Sequence, residues 1–273
     1  SVKWMAGIAL AIPAAAFPLA AADLVYSGSA LLGTGEYGLT ERTTGFTFLN
    51  GLSLQVHSFR VSATIPLSGQ STALVSTTGA GIISSGGSSG SGTTSDDRPD
   101  RTGSGDDGIF SVFGVGDPSV RLDFDAIRSR GRIPSVSFFG QMKIPVADPA
   151  DGLGTGEFDY STGLSLAFPS GRNLILAEAA WWILGEMPDA ELENPVSLNA
   201  SLGRSFAGGR TMASLIFSGC TRIVPDTEPP MQAGAGFNIL AGGGRAFGLS
   251  AMFGLTDSAS DVSVSAGWTI PID

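Results

Sequence analysis

The chain has 273 residues, 15% of them charged and 42% hydrophobic, with 39 glycines, one cysteine, one histidine and a formal charge of -10 at pH 7. An acidic chain of this kind is excluded as a nucleic-acid binder, because phosphate recognition needs clustered Lys and Arg. Cys220 alone makes neither an intrachain disulfide nor a cysteine-rich metal site, and His57 alone makes no histidine cluster, so no cofactor and no metal is expected.

Residues 4–22 form an apolar run behind Lys3 and close on Ala20-Ala21-Ala22, the small-residue pattern that precedes a signal-peptidase cut, here before Asp23. The segment 1–22 is therefore expected to be a signal peptide and 23–273 the barrel described below. A membrane anchor is the other reading of this run, opposed by Pro13 and Pro18 and by the missing basic cluster after it. No other stretch reaches the roughly 18 apolar residues of a membrane helix, so further insertion must use strands.

From about residue 116 the sequence repeats alternating segments of roughly ten residues, each followed by a break. In 135–144, Val136, Phe138, Met142 and Ile144 fall on one face and Ser135, Ser137, Gln141 and Lys143 on the other. The same division recurs in 158–168, 196–203, 231–239 and 262–270. A soluble sandwich would carry Lys, Glu and Thr on its wet face, whereas these polar faces are mostly Ser, Gly and Asn, with charges gathered in the breaks. The pattern predicts an all-β protein: a transmembrane, antiparallel, up-and-down β-barrel of about 12 strands.

Short breaks at 129–132, 169–172, 207–210 and 241–245 end in Arg132, Arg172, Arg210 and Arg245, while longer acidic or Gly-rich breaks lie at 84–116, 146–157, 185–194 and 219–230. Such barrels keep short turns in the periplasm and long loops outside, so the arginine turns are assigned to the periplasm. Residues 84–115 are expected to form a long Gly/Ser/Asp-rich external loop. Its aspartates offer oxygen ligands for calcium, and a solvated loop is the plainer reading. Counting hairpins back from the C-terminus predicts strands at 245–255 and 261–270, 210–218 and 231–240, 173–183 and 195–205, 133–144 and 158–168, and 71–83 and 117–128. Two more are placed between Glu36 and Ile65. The apolar phase slips between Val56 and Phe59, which reads as a bulge or a misplaced strand, and residues 23–32 can add pairing of their own. Tyr160 and Trp181 near the external ends, with Phe247 and Trp268 near the periplasmic ends, predict two aromatic girdles.

The strand phase turns Arg121, Asp123, Asp125, Phe139, Gln141, Lys143, Asp159, Glu178 and Trp182 toward the lumen as candidates for the substrate path. Ionised groups there either select solutes by charge or pair with one another to pack the interior. Phe139, Trp182 and Met252 either line an apolar path or fill a narrow lumen. No catalytic residue is expected, since His57 and the adjacent Ser58 point to opposite faces of a strand and do not form a nucleophile pair; Ser53, Ser62 or a serine on a neighbouring strand is the alternative partner within reach.

The segments Gly114-Val115-Gly116-Asp117-Pro118-Ser119-Val120-Arg121-Leu122, Lys143-Ile144-Pro145 and Gly152-Leu153-Gly154-Thr155-Gly156-Glu157-Phe158-Asp159-Tyr160 resemble one family. It is the outer-membrane transporter family associated with the meta-pathway of phenol degradation, and the resemblance covers roughly residues 110–270. It implies passage of small molecules, aromatic or other organic compounds among them, through the cell outer membrane, with membrane lipids and small solutes as partners. A structural or surface-interaction barrel with a plugged lumen, and a membrane-embedded lipid hydrolase, are the alternative functions.

Overall fold

A strand that meets lipid must satisfy its backbone polar groups through neighbouring strands, and only ring closure leaves no open edge. The computed structural model describes residues 23–39, 42–72, 75–84, 110–129, 133–187 and 191–272. Its strands are β1 (Asp23–Gly35), β2 (Thr43–Val56), β3 (Phe59–Gln70), β4 (Val75–Thr77), β5 (Ile82–Ser84), β6 (Val112–Val115), β7 (Ser119–Ile127), β8 (Ser135–Lys143), β9 (Asp159–Ser170), β10 (Asn173–Ile183), β11 (Val196–Phe206), β12 (Thr211–Cys220), β13 (Met231–Leu240), β14 (Ala246–Gly254) and β15 (Val262–Ile272). Strands β7 to β15 pair in sequence, β15 pairs with β1, β1 with β2, β2 with β3, and β3 closes the ring on β7. Each pairing is antiparallel. The result is a closed barrel of 12 strands, because β6 and β7 share one place: β3 meets β6 through Leu67–Gln70 and β7 through Phe59–Thr64. The break between them is Gly116-Asp117-Pro118, where the Gly116 N–H donates to the Pro66 carbonyl at 3.0 Å.

From Ser119 onward every strand lies within two residues of its expected bounds. The N-terminal third needs correction. Residues 71–83 are not a barrel strand; that place is held by β3, and residues 75–77 and 82–84 form the separate hairpin β4–β5. The phase slip between Val56 and Phe59 is neither a bulge nor a misplaced strand. Val56 pairs with Phe59, so His57-Ser58 is a two-residue turn, with His57 at a φ of 54° in the left-handed region. Pairing by 23–32 is found, extended to Gly35. Its signal was faint because the outward face of β1 carries Gly28 opposite Trp268, so an aromatic ring from β15 fills the place of an apolar side chain. Residues 1–22, read as a signal peptide, and residues 85–109 of the expected long loop lie outside the described residues.

Apolar side chains form an outer belt on alternate positions, among them Leu215 at 65% and Leu249 at 62% exposure. In a membrane barrel that exposure is contact with lipid. Tyr160 and Trp181 are outward at the long-loop ends, with Phe158 stacked on Tyr160 at 6.2 Å between centroids. Phe247 and Trp268 pair with each other at the short-turn ends, and Phe48 lies 5.7 Å from Trp268. The two girdles bracket a lipid-facing belt, and the barrel belongs in the outer membrane. If the short turns are periplasmic, a cysteine label at Thr227, in a Cys220→Ser background, reacts from outside intact cells, whereas labels at Gly171 or Gly243 do not. The opposite accessibility would invert the assignment.

Candidate functional site

Apart from Asp23 at the short-turn rim of β1, the inward positions of β1, β2 and β11 to β15 are uncharged, built from Ser, Thr, Asn, Gln, Gly and apolar groups. The charges collect on β3 and β7 to β10, so the lumen has one neutral wall and one ionic wall. Every lumen candidate on β7 to β10 faces inward. Arg121, Asp123, Gln141, Lys143, Asp159, Phe139 and Trp182 are buried, and Asp125 and Glu178 are half-buried.

Two networks organise the ionic wall. In the deeper one, Arg121 donates both terminal nitrogens to Glu178, at 3.2 and 2.9 Å, and its Nε to Asp123 at 3.1 Å. Its guanidinium lies over the Phe139 ring, 3.3 Å from the centroid. This fork geometry is what distinguishes Arg from Lys as a partner for carboxylates. One step toward the short-turn side, Ser137 donates to Asp125 at 2.8 Å, beside a register shift between Asp125 and Ile127.

The second network centres on Lys143, which has no exposed surface. Its Nζ donates to Asp117 Oδ2 at 2.8 Å and Thr155 Oγ1 at 2.6 Å, and stands 3.1 Å from Asp159 Oδ2. Asp117 also accepts the backbone N–H groups of Val146 and Ala147, each at 2.9 Å. Asp159 accepts Gly185 N–H at 2.9 Å and, with its other oxygen, Gly79 N–H at 2.7 Å. Gly154 has to be glycine, since a Cβ there would stand 2.3 Å from Asp117 Oδ2. All three motif segments of the sequence thus converge on one buried ammonium.

Gly79 belongs to the turn of the β4–β5 hairpin, which enters the long-loop half of the lumen. Gln70, at the end of β3, starts the inward course by donating to the carbonyls of Val75 at 3.3 Å and Asp151 at 3.0 Å. Thr78, fully buried, closes the turn on the Gly81 carbonyl at 2.8 Å. On one side Ala80 packs against Phe139, Ala180 and Trp182; on the other Ile83 packs against Cys220 and Ile223. Beneath the hairpin lies a cavity of about 130 Å³ that takes Arg121, Phe139, Gln141, Glu178 and Trp182 from the ionic side and Ser197, Asn199, Gln232 and Ser263 from the neutral side. Tyr37, in the loop after β1, lines it too; burial pushes its phenol up to about 12, so it is neutral at physiological pH. Met252, fully buried, packs with Ile216 and Leu31 on the neutral wall.

Sequence reasoning missed Asp117, Thr155 and Arg60. Arg60 is inward on β3, where the strand phase was misread. Asp117 and Thr155 sit in the quoted motifs, in breaks that have no alternation to show which way a side chain points. Among the described residues no cluster of His, Cys, Asp and Glu is arranged to hold a metal. His57 stands in the β2–β3 turn with its carbonyl accepting Arg128 and Gln55.

No family model matches the chain, and no curated protein matches it. Among solved structures it is similar to an outer membrane channel from Pseudomonas putida F1, at 9% sequence identity and a TM-score of 0.67, over 97% of this chain and 100% of that one. The translocator domain of autotransporter NalP from Neisseria meningitidis aligns at 12% identity and a TM-score of 0.47, covering 93% and 89% of the two chains. The beta domain of the Bordetella autotransporter BrkA aligns at 12% and 0.45, covering 92% and 99%. At such identities the likeness is one of fold, and the channel carries it: this chain has the fold of an outer-membrane β-barrel.

Removing one member of a buried ion network strands the others, a loss of ~3–5 kcal/mol. Lys143→Met is therefore expected to lower the unfolding free energy, read from urea titration of the protein in lipid vesicles, by that amount. Ser250→Ala, which deletes one hydroxyl of the Ser250–Ser265 pair at 2.7 Å, should cost only ~1 kcal/mol. Equal midpoints for the two variants would show that the Lys143 network carries no special weight.

Proposed function

We propose that the barrel is a channel for small solutes across the outer membrane, with small aromatic and other uncharged organic compounds as its cargo. One observation carries the reading: the ion pairs given above join residues of the same wall, β7 to β10 and the break before β7, and do not tie that wall to the neutral one. A lumen needed only as packed core would gain from cross-ties, whereas charges satisfied along one side leave the space between the walls to solute. The organic cargo is what the resemblance to the phenol-pathway transporters implies, and Phe139 and Trp182 facing the cavity fit it. Catalysis is not part of the proposal, because His57 lies in a tight turn away from the lumen network.

The hairpin latched in the external half favours one competing reading, a plugged structural barrel. Flux separates them. Proteoliposomes carrying the intact protein should swell in small sugars and in uncharged aromatic solutes, and deletion of 75–84 should speed the sugars. A heat-resistant, folded barrel that admits neither would make the structural reading correct.

The inward charges also set a preference among ions. Arg60, Arg121 and Lys143 face Asp117, Asp123, Asp125, Asp159 and Glu178, which leaves the ionic wall two negative charges in excess, and Asp23 at the rim of β1 adds a third. A weakly electronegative passage concentrates cations, and salt screens the effect over about 10 Å at 0.1 M. Planar bilayers should therefore show a modest cation preference at low salt that fades by about 1 M and weakens in Asp125→Asn or Glu178→Gln. Anion preference, or a reversal potential indifferent to both substitutions, would remove these carboxylates from the pathway.

A further inference from the structure

Three polar atoms point to what the cavity under the hairpin holds. Gln141 Nε2, Gln232 Oε1 and Ser263 Oγ are buried and make no hydrogen bond, and all three residues line the cavity. Gln141 is 6% exposed and Ser263 2%, so bulk water does not satisfy them. Burying polar atoms without partners is unfavourable, and three around one cavity, a donor and two oxygens, match a guest with an acceptor and a donor of its own.

The walls define the rest of that guest. The only ionised side chains among the described lining residues are Arg121 and Glu178, and they are engaged with each other in a bidentate pair, Arg121 also with Asp123. An ion entering would shed its water and meet no unpaired opposite charge, which is unfavourable. The Trp182 indole N–H is taken by Ser197 Oγ at 3.0 Å, so Trp182, Phe139, Ala80 and Ala180 offer an apolar surface. A volume of about 130 Å³ is on the order of ten times the 10–15 Å³ that one water needs, so a molecule of several heavy atoms fits.

We infer that this cavity is a binding subsite for a small, uncharged, planar organic molecule bearing a hydrogen-bond acceptor and a donor, an aromatic carboxamide being the model compound. This rests on the channel reading above and deepens it, placing a solute-selecting station between the hairpin and the Arg121 pair. Gln141 Nε2 donates to the guest's acceptor, the Gln232 and Ser263 oxygens take its donor, and the ring packs on Trp182 and Phe139.

Calorimetric titration of the intact protein in detergent micelles with benzamide, benzoate and benzylamine tests it. Benzamide should bind saturably and more tightly than either ion, and Gln141→Leu should weaken it about tenfold. Ser263→Ala, a smaller change, should weaken it severalfold and keeps the test decisive if the first variant folds poorly. Binding of benzoate or benzylamine as tight as benzamide, affinity unchanged in both variants, or only linear partition into micelles would overturn the subsite. Solute flux through liposomes without saturable benzamide binding overturns this inference and leaves the channel reading standing. Saturable, Gln141-dependent binding without flux keeps the subsite and overturns the channel reading.

Discussion

A lysine ammonium with no access to water must be neutralised where it lies, and the long-loop half of this barrel is arranged around that requirement. Lys143 ends β8, Asp159 begins β9, and Asp117 interrupts the stave that β6 and β7 share, so one cation joins three places on the ring. The carboxylates have acceptor capacity to spare, and it goes to backbone N–H groups of loops: Val146 and Ala147 on Asp117, Gly79 and Gly185 on Asp159. Loop backbone inside a barrel would otherwise lose its hydrogen bonds to water, and charged acceptors are stronger than neutral ones. The same ions that are unfavourable to bury therefore make it favourable to fold a hairpin into the lumen.

The consequence is a lumen divided by chemistry. The ionic wall is stiff because its charges hold one another, and Phe139 is caught between Arg121 and the hairpin cluster. The neutral wall of Ser, Asn and Gly presents hydroxyls and amides that bond along the strand or to a neighbour, as Ser218 does to Asn199 at 2.7 Å. A solute between them meets no unpaired charge in the cavity lining described, and meets polar atoms that want partners. On the channel reading proposed above, that combination favours uncharged molecules, while a net negative potential biases small ions toward cations.

Most of the barrel was legible because period-two alternation is a direct consequence of strand geometry. Strands β7 to β15 show it because their outward residues are mostly large and apolar and their inward ones mostly small or polar. The signal failed where that contrast is lost: in β1, with Gly28 under Trp268, and at His57-Ser58, where a two-residue turn reverses the phase and resembles a slip. The run Ser71-Thr72-Ala73-Leu74-Val75-Ser76 alternates too weakly to tell a barrel strand from the approach to an inserted hairpin. The inward charges of β7 to β10 were readable from phase, whereas how they pair was not. Asp117 and Thr155 lie in breaks, and the pairing of Arg121 with Glu178 runs from β7 to β10 across three strand pairings, a relation that follows from register and not from spacing.

The Lys143 network holds the β4–β5 hairpin in the lumen through Asp159, and amide hydrogen exchange of the intact protein in lipid nanodiscs reads that hold directly. The amides of Gly79 and its neighbours in 75–84 should exchange slowly in the native protein, and quickly in Asp159→Asn while β11 to β15 stay protected. Fast exchange of the hairpin in the native protein, or protection unchanged in the variant, would contradict the account.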